Sequence, residues 1–306
     1  MDTNHRDSLS QRIRELKKKR NAVILAHNYQ IPEVQDVADY VGDSFGLSRT
    51  ASATDTDVIV FCGVLFMAET ASILSPTKKV LMPEPKAGCP MADMITREQL
   101  IELKRKHPKA VAVGYVNTTA AVKAELDLCC TSGNAVKVVE ALKDAPEIIF
   151  VPDKHLANYV SLKTGRKFIA WEGYCPSHVS ILAEDIQRAK KQHPKAKVVV
   201  HPECTSAVCE LADEVVSTEG MCRYAKESSV DEIIVGTEVG IIHRLKKENP
   251  GKKFYSASDK ATCPNMKLTT LEKILWCLED MKYEVSVSEE IRLKAHKAVN
   301  KMIEIS

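Results

Sequence analysis

The sequence predicts an α/β protein built as three pseudo-symmetric, three-layer α/β/α domains with mostly parallel sheets around a central active site. Three observations predict it. First, the segments KKRNAVILAHNYQ (18–30), KRKHPKAVAVGYVNT (104–118) and KKQHPKAKVVVHPECT (190–205) share one plan: a basic helix end, a turn, then a short apolar strand. Second, a polar pair two residues apart closes each strand: His27/Tyr29, Tyr115/Asn117 and His201/Glu203. Third, Cys-Pro recurs at the copy boundaries, at Cys89, Cys175 and Cys263, with intervals of 86 and 88 residues.

The remaining elements keep the same phase. Twelve residues beyond the first member of each pair stands an Asp (Asp39, Asp127, Asp213), and seventeen beyond it a hydroxyl (Ser44, Ser132, Thr218). A further strand follows at 57–61, 147–151 and 231–235, then a helix and a final strand. Near-continuous apolar strands suit parallel sheets covered on both faces. These intervals divide the chain into copies at 1–88, 89–174 and 175–263, with 264–306 packing back onto the first. In that tail Thr269–Asp280 reads as a helix and Tyr283–Val287 as a strand, and Ser286-Val287-Ser288-Glu289 as a capping box for the last helix.

Composition sets the outer bounds. The 306 residues are 44% apolar and 27% charged, which excludes disorder and a disulfide miniprotein. At ~150 residues per domain the length alone suggests two domains, and the repeats replace that count with three. Lys+Arg 43 against Asp+Glu 41 leaves a net +2, which argues against a nucleic-acid partner. The longest apolar run, Val58–Ala68, stops at Glu69, short of the ~18 residues a membrane span needs. The first twenty residues are charged with no apolar stretch, so no secretory signal is read and the expected location is cytoplasmic.

The chemistry is expected at the carboxyl ends of the strands, where an open α/β sheet binds its ligands. His, Tyr, Asn and Glu there are poor core residues and good functional ones. Ser44, Ser132 and Thr218 are read as opening helices, whose free N–H groups and positive dipole end hold carboxylate or phosphate. Three such sites on one cavity point to a substrate with several anionic groups. The three in-phase cysteines meet in the same geometry. Zinc would take them with a fourth ligand, and an iron–sulfur cubane would keep one iron open; spacing does not choose between these.

The other candidates read as structural. Cys62, Cys129, Cys130, Cys222 and Cys277 are packing residues, and Cys204 with Cys209 carries only a minor metal or redox reading. His107 and His193 form turns, and His178, His243 and His296 read as surface or helix residues. For Asp39, Asp127 and Asp213 a shared turn or cap function outweighs catalysis.

HNYQIPEVQDVADYVGDS (27–44), FMAE (66–69), CPMA (89–92), YVNTTA (115–120), TSGNA (131–135), HPEC (201–204), GTEVG (236–240) and CPNM (263–266) together resemble the quinolinate synthase family over almost the whole chain. The resemblance implies a three-domain enzyme that condenses iminoaspartate with dihydroxyacetone phosphate. It releases phosphate and two waters and makes quinolinate for NAD biosynthesis. It further implies a [4Fe-4S] cluster on Cys89, Cys175 and Cys263, whose fourth iron binds substrate. His27, Tyr115, Asn117, Ser44, Ser132, Thr218, His201 and Glu203 would bind substrate, and Tyr29, His201 and Glu203 would also transfer protons. The enzyme that produces iminoaspartate is a further expected partner. Two features depart from the family. Glu219 stands in the third-copy loop, which usually reads Ser-Thr-Gly, and the tail after Cys277 has no cysteine, so no redox switch is expected there. The competing readings are another iron–sulfur hydro-lyase acting on a hydroxy-carboxylate, and a zinc-clamped anion-binding protein.

Overall fold

The computed structural model describes residues 3–305. Its strands form three four-stranded sheets, one per repeat. The first comprises β1 (Ala22–His27), β2 (Tyr40–Gly42), β3 (Val58–Cys62) and β4 (Lys79–Leu81). The second comprises β5 (Ala110–Tyr115), β6 (Leu128–Cys130), β7 (Glu147–Val151) and β8 (Ile169–Ala170). The third comprises β9 (Lys197–Val200), β10 (Glu214–Val215), β11 (Glu232–Gly236) and β12 (Lys253–Ser256). The strand orders, β2-β1-β3-β4, β6-β5-β7-β8 and β10-β9-β11-β12, are one order written three times, and every pairing among these strands is parallel. The fold is therefore α/β, three parallel sheets covered by helices, as the repeats predict.

That order places the site. From β1 the chain steps outward to β2, then crosses back over β1 to reach β3 on its other side. The connections leaving β1 and β3 thus diverge and leave a crevice at their carboxyl ends, and β5/β7 and β9/β11 repeat it. All three polar pairs leave the sheets at such crevices.

The in-phase aspartates prove to be brackets for these strands. Asp39, Asp127 and Asp213 accept, each at 2.8 Å, the backbone N–H of Ile24, Ala112 and Val198, while their own N–H groups donate to the carbonyls of the same three residues. Lys17, Lys104 and Lys197 pair with the three carboxylates. Each Asp thus closes the outer side of a strand whose short neighbour begins just after it. Asp127→Ala leaves the Ala112 N–H without its acceptor, and we expect about 1–3 kcal/mol of lost stability. A denaturant midpoint reads that loss, with turnover of the folded fraction unchanged because Asp127 stands away from the crevice.

The tail, expected over 264–306 on the first copy, is shared with the second. Leu271, Ile274, Leu275 and Leu278 pack with Leu9 and Ile13 of the first helix, Thr3–Lys19, over the outer face of β1 and β3. The last helix, Glu289–Glu304, instead lies against β6 and the helices Ala120–Lys123 and Leu65–Leu74. Its Ala295, Ala298, Val299 and Met302 are fully buried there. The strand expected at Tyr283–Val287 reduces to one antiparallel bridge, Leu81↔Glu284. Left-handed φ values at Met281 (51°) and Tyr283 (64°) bend the chain, so only a single residue lines up with β4. The last helix begins at Glu289 after Ser288, which makes no side-chain cap bond, so the expected capping box is not formed. Among the described residues no helix is long and apolar enough to cross a membrane.

Candidate active site

The first and third polar pairs fold identically. His27 ends β1 and its Nδ1 accepts the Tyr29 N–H at 3.2 Å; His201 follows β9 and its Nδ1 accepts the Glu203 N–H at 3.4 Å. An acceptor Nδ1 carries no proton, so each ring is neutral with its hydrogen on Nε2. Electrostatics agrees: burial lowers both imidazoles to about 3, against the opposing pull of Glu203. In the second pair Tyr115 ends β5, and the buried Oδ1 of Asn117 finds no partner among the described residues.

The hydroxyls follow the predicted plan in two copies. Ser44 is the first residue of the helix Ser44–Ala53, capped by Asp43, whose carboxylate accepts the Gly46 N–H at 2.8 Å. Thr218 is the first residue of Thr218–Glu227, capped by Ser217. Ser132 departs from it and sits in a turn ahead of the helix Ala135–Ala141. Asn134 folds its Oδ1 back onto the N–H of Thr131 (2.7 Å), which delays the regular helix. Two of the hydroxyls are polarised by donors behind them. Ser132 Oγ accepts from His201 Nε2 at 3.1 Å, and Thr218 Oγ1 from Asn28 Nδ2 at 3.1 Å. Thr218 keeps its own O–H to donate into the cavity, while the Ser132 hydroxyl also bonds the Tyr115 phenol oxygen.

Glu203 is the centre of the buried network. Tyr115 donates its hydroxyl to Oε1 at 2.5 Å, and His178 Nδ1 lies 2.7 Å from Oε2. Burial pushes this carboxyl up, but His178 first, then His201 and the hydrogen bonds, outweigh it and hold the group well below the usual carboxylate range. Glu203 is therefore an anion. Burial, then the charge of Glu203, pushes both Tyr29 and Tyr115 well above ordinary phenols, so both keep their protons. His178 Nε2 contacts Thr237 Oγ1 at 2.8 Å, and Thr237 in turn contacts the Tyr29 hydroxyl at 2.7 Å. His178 also stacks on His201, ring centres 4.6 Å apart.

The main correction to the site is His178, which the sequence reads as a surface or helix residue. It is 2% exposed and bridges Cys175 Sγ (3.1 Å) and Glu203. The available signal was its place three residues after an in-phase cysteine, one helical turn away. Asp43 and Thr237 were also missed; the helix start after Asp43 and the motif GTEVG mark them. In that motif Glu238 pairs with Lys267 (2.8 Å) and accepts the Cys263 N–H at 3.1 Å, while Lys267 holds the Tyr29 carbonyl at 2.5 Å. Gly240 closes this clamp, since a Cβ there would lie 2.8 Å from that carbonyl.

Cys89, Cys175 and Cys263 face the same cavity, all unpaired and half-buried. Each sulfur meets backbone N–H groups of the turn that follows it: Met91 and Ala92, His178, and Asn265 and Met266. Pro176 and Pro264 open two of those turns. Burial pushes all three thiols up, Cys89 to about 12. One ligand atom each of Cys175, His178 and Glu203 lies within 4.8 Å of the others, a group able to hold a metal ion. The other seven cysteines line no part of this cavity.

All twelve side chains singled out in the sequence line one cavity with about 670 Å³ of atom-free space, its opening included. Val64, Phe66, Met67, Met91 and Met266 add apolar walls, and no Lys or Arg is among the lining residues. Glu219, the departure in the third repeat, is not among them either. Its carboxylate lies 2.8 and 3.2 Å from the two terminal nitrogens of Arg244.

The chain matches the model of the family described as quinolinate synthetase A protein over residues 11–304. It is 58% identical to the quinolinate synthase of Dehalococcoides mccartyi strain CBDB1 over 301 residues, 98% of this chain and 99% of that one. It is 56% identical to quinolinate synthase 1 of Methanosarcina acetivorans over 297 residues, 97% of each chain. Against the quinolinate synthase of Geobacter metallireducens the identity is 54% over 299 residues, 98% of each.

Proposed function

The chain belongs to the quinolinate synthetase A family, enzymes of NAD biosynthesis, and from that membership we propose how its cavity makes quinolinate. The reaction is the condensation of iminoaspartate with dihydroxyacetone phosphate, with loss of phosphate and two waters. The observation that carries this reading is the convergence of the three polar pairs, one from each repeat, and the three in-phase cysteines on a single cavity.

The family implies a metal cofactor, and we assign it as a [4Fe-4S] cluster held by Cys89, Cys175 and Cys263. The donor set fits: three unpaired soft sulfurs, each facing backbone N–H groups that stabilise a thiolate. When bound, the cluster supplies an iron free of protein ligands, a Lewis acid toward a substrate oxygen or nitrogen.

The chain's own residues do the rest. With no cation in the wall, the substrate anions are held by neutral donors: His27 Nε2–H, the amide of Asn117, the hydroxyls of Ser44, Ser132 and Thr218, and two helix starts. Dehydration and tautomerisation need groups that take and give protons. Glu203 is the acceptor, poised as a buried anion. Tyr29, still protonated, is a donor, and His201 presents its Nε2–H through Ser132. Glu203, His178, Thr237 and Tyr29 form an unbroken chain of contacts at 2.7, 2.8 and 2.7 Å. A proton taken by Glu203 thus has a route back to the Tyr29 phenol, which resets the pair between steps.

The test is anaerobic incubation with dihydroxyacetone phosphate and freshly generated iminoaspartate, reading quinolinate by mass spectrometry and phosphate in the same sample. We expect one phosphate per quinolinate from protein containing iron and sulfide. Iron-replete protein that yields neither product would overturn the reading in favour of a hydro-lyase. A colourless zinc protein without turnover would overturn it in favour of an anion-binding role.

A further inference from the structure

Behind the cavity wall of the third repeat lies a charged side chain that never reaches the cavity. Arg244, on the helix Ile241–Glu248, is only 14% exposed at its side chain. Its Nη1 donates to Asn28 Oδ1 at 3.0 Å and to Glu219 Oε2 at 2.8 Å, its Nη2 to Glu219 Oε1 at 3.2 Å, and its Nε to Glu248 at 2.7 Å. Asn28 is fully buried, and its Nδ2 donates to Thr218 Oγ1.

The directions of these bonds are forced. A guanidinium only donates, so the amide atom facing Arg244 is the oxygen. The Asn28 NH₂ must then face Thr218, whose oxygen accepts and whose hydrogen is left for the cavity. Without Arg244 the amide is free to turn over. Its oxygen would then capture the Thr218 hydrogen, and an acceptor would replace a donor where an anion must sit. Loss of Arg244 also leaves Glu219 unpaired one residue from Thr218, at the helix start that should attract an anion.

Building on the anion-binding reading of the cavity, we propose that Arg244 is a positioning residue that makes Thr218 a donor to an anionic substrate oxygen and cancels the charge of Glu219 beside it. It acts from the third repeat through Asn28 of the first, so the relay also sets how these two walls meet. The oxygen belongs to a phosphate or a carboxylate, two sources of one chemistry.

The test compares Arg244→Met, Glu219→Gln and the double variant in the metal-loaded enzyme. The readouts are KM and kcat for dihydroxyacetone phosphate and calorimetric Kd for quinolinate, a dicarboxylate. For Arg244→Met we expect one of the two binding constants to weaken about 30-fold while kcat moves less than about 3-fold, the size of a lost charge-assisted contact. The constant that moves identifies phosphate or carboxylate. Glu219→Gln alone should bind as tightly as the parent or tighter. The double variant should recover to within about 5-fold of the parent, because the unpaired charge is gone and only the hydroxyl's orientation is lost. Should Arg244→Met lose metal or thermal midpoint, Arg244→Lys replaces it, keeping the charge without the fork, and should show a smaller loss in the same constant. Unchanged binding constants, a fall in kcat alone, or a double variant no better than the single would each overturn the proposal. Parent enzyme without turnover would sink the quinolinate reading instead, and the calorimetric arm would still judge the relay.

Discussion

Glu203→Gln is expected to lower quinolinate formation about 10³-fold with iron content and thermal midpoint near those of the parent, a loss in the range of positioned acid–base groups. Glutamine keeps the volume of the side chain, and its oxygen still accepts from Tyr115. It cannot take a proton, and its NH₂ faces the Nδ1 of His178, so the route from position 203 to Tyr29 is cut at its first contact. Steady-state rates of phosphate release check this. The expected pattern is a loss in kcat with KM for dihydroxyacetone phosphate changed little, since Glu203 is an anion and does not hold anionic substrate. A loss confined to KM would reassign Glu203 to binding.

Cys263→Ala is expected to abolish activity and remove most of the iron, whereas Cys277→Ala keeps both. The two positions are close in sequence and opposite in setting. Cys263 faces the cavity with its sulfur toward the N–H groups of Asn265 and Met266, while Cys277 is fully buried between the first and next-to-last helices. On the proposed assignment, removing one of the three thiols leaves two to hold the cluster. Removing Cys277 trims a small apolar group and costs about 1–2 kcal/mol of packing. Iron and sulfide assays beside product measurement separate the two. Iron retained at the parent level in Cys263→Ala would remove that residue from the ligand set.

Much of this was legible because the chain states the same instruction three times. A strand end, an Asp and a hydroxyl in constant phase imply a constant backbone, and that backbone carried all twelve predicted residues to one cavity. What the phase could not convey was role. Asp39, Asp127 and Asp213 are as regular as the polar pairs, yet they bind strand N–H groups, because they stand at the outer strand beside the strand's middle and not at its carboxyl end. His178 escaped because it has no counterpart in phase, and a lone His one turn after a Cys reads as an ordinary helix residue. By analogy the helix is expected to open at Ser132, about one turn too early, since the Asn134 side chain rewrites the turn locally. The tail strand failed for a backbone reason: two left-handed residues override its β-branched composition.

The last helix has a consequence for the timing of synthesis. Asn134, which shapes the turn holding Ser132, donates to the carbonyl of Met302 at 3.0 Å across 168 residues of sequence. At translation rates of 5–20 residues per second, the second half of that bond is made roughly 10–30 s after the first. Throughout that interval β6 lacks the cover of Ala295, Ala298, Val299 and Met302, and the loop of the second cavity wall lacks its anchor. The three cysteines are all translated by residue 263, so the proposed ligand set exists before the wall around it is complete. On the proposed assignment, loss of the last dozen residues, though far from all three cysteines in sequence, is expected to act as a defect in assembling the site.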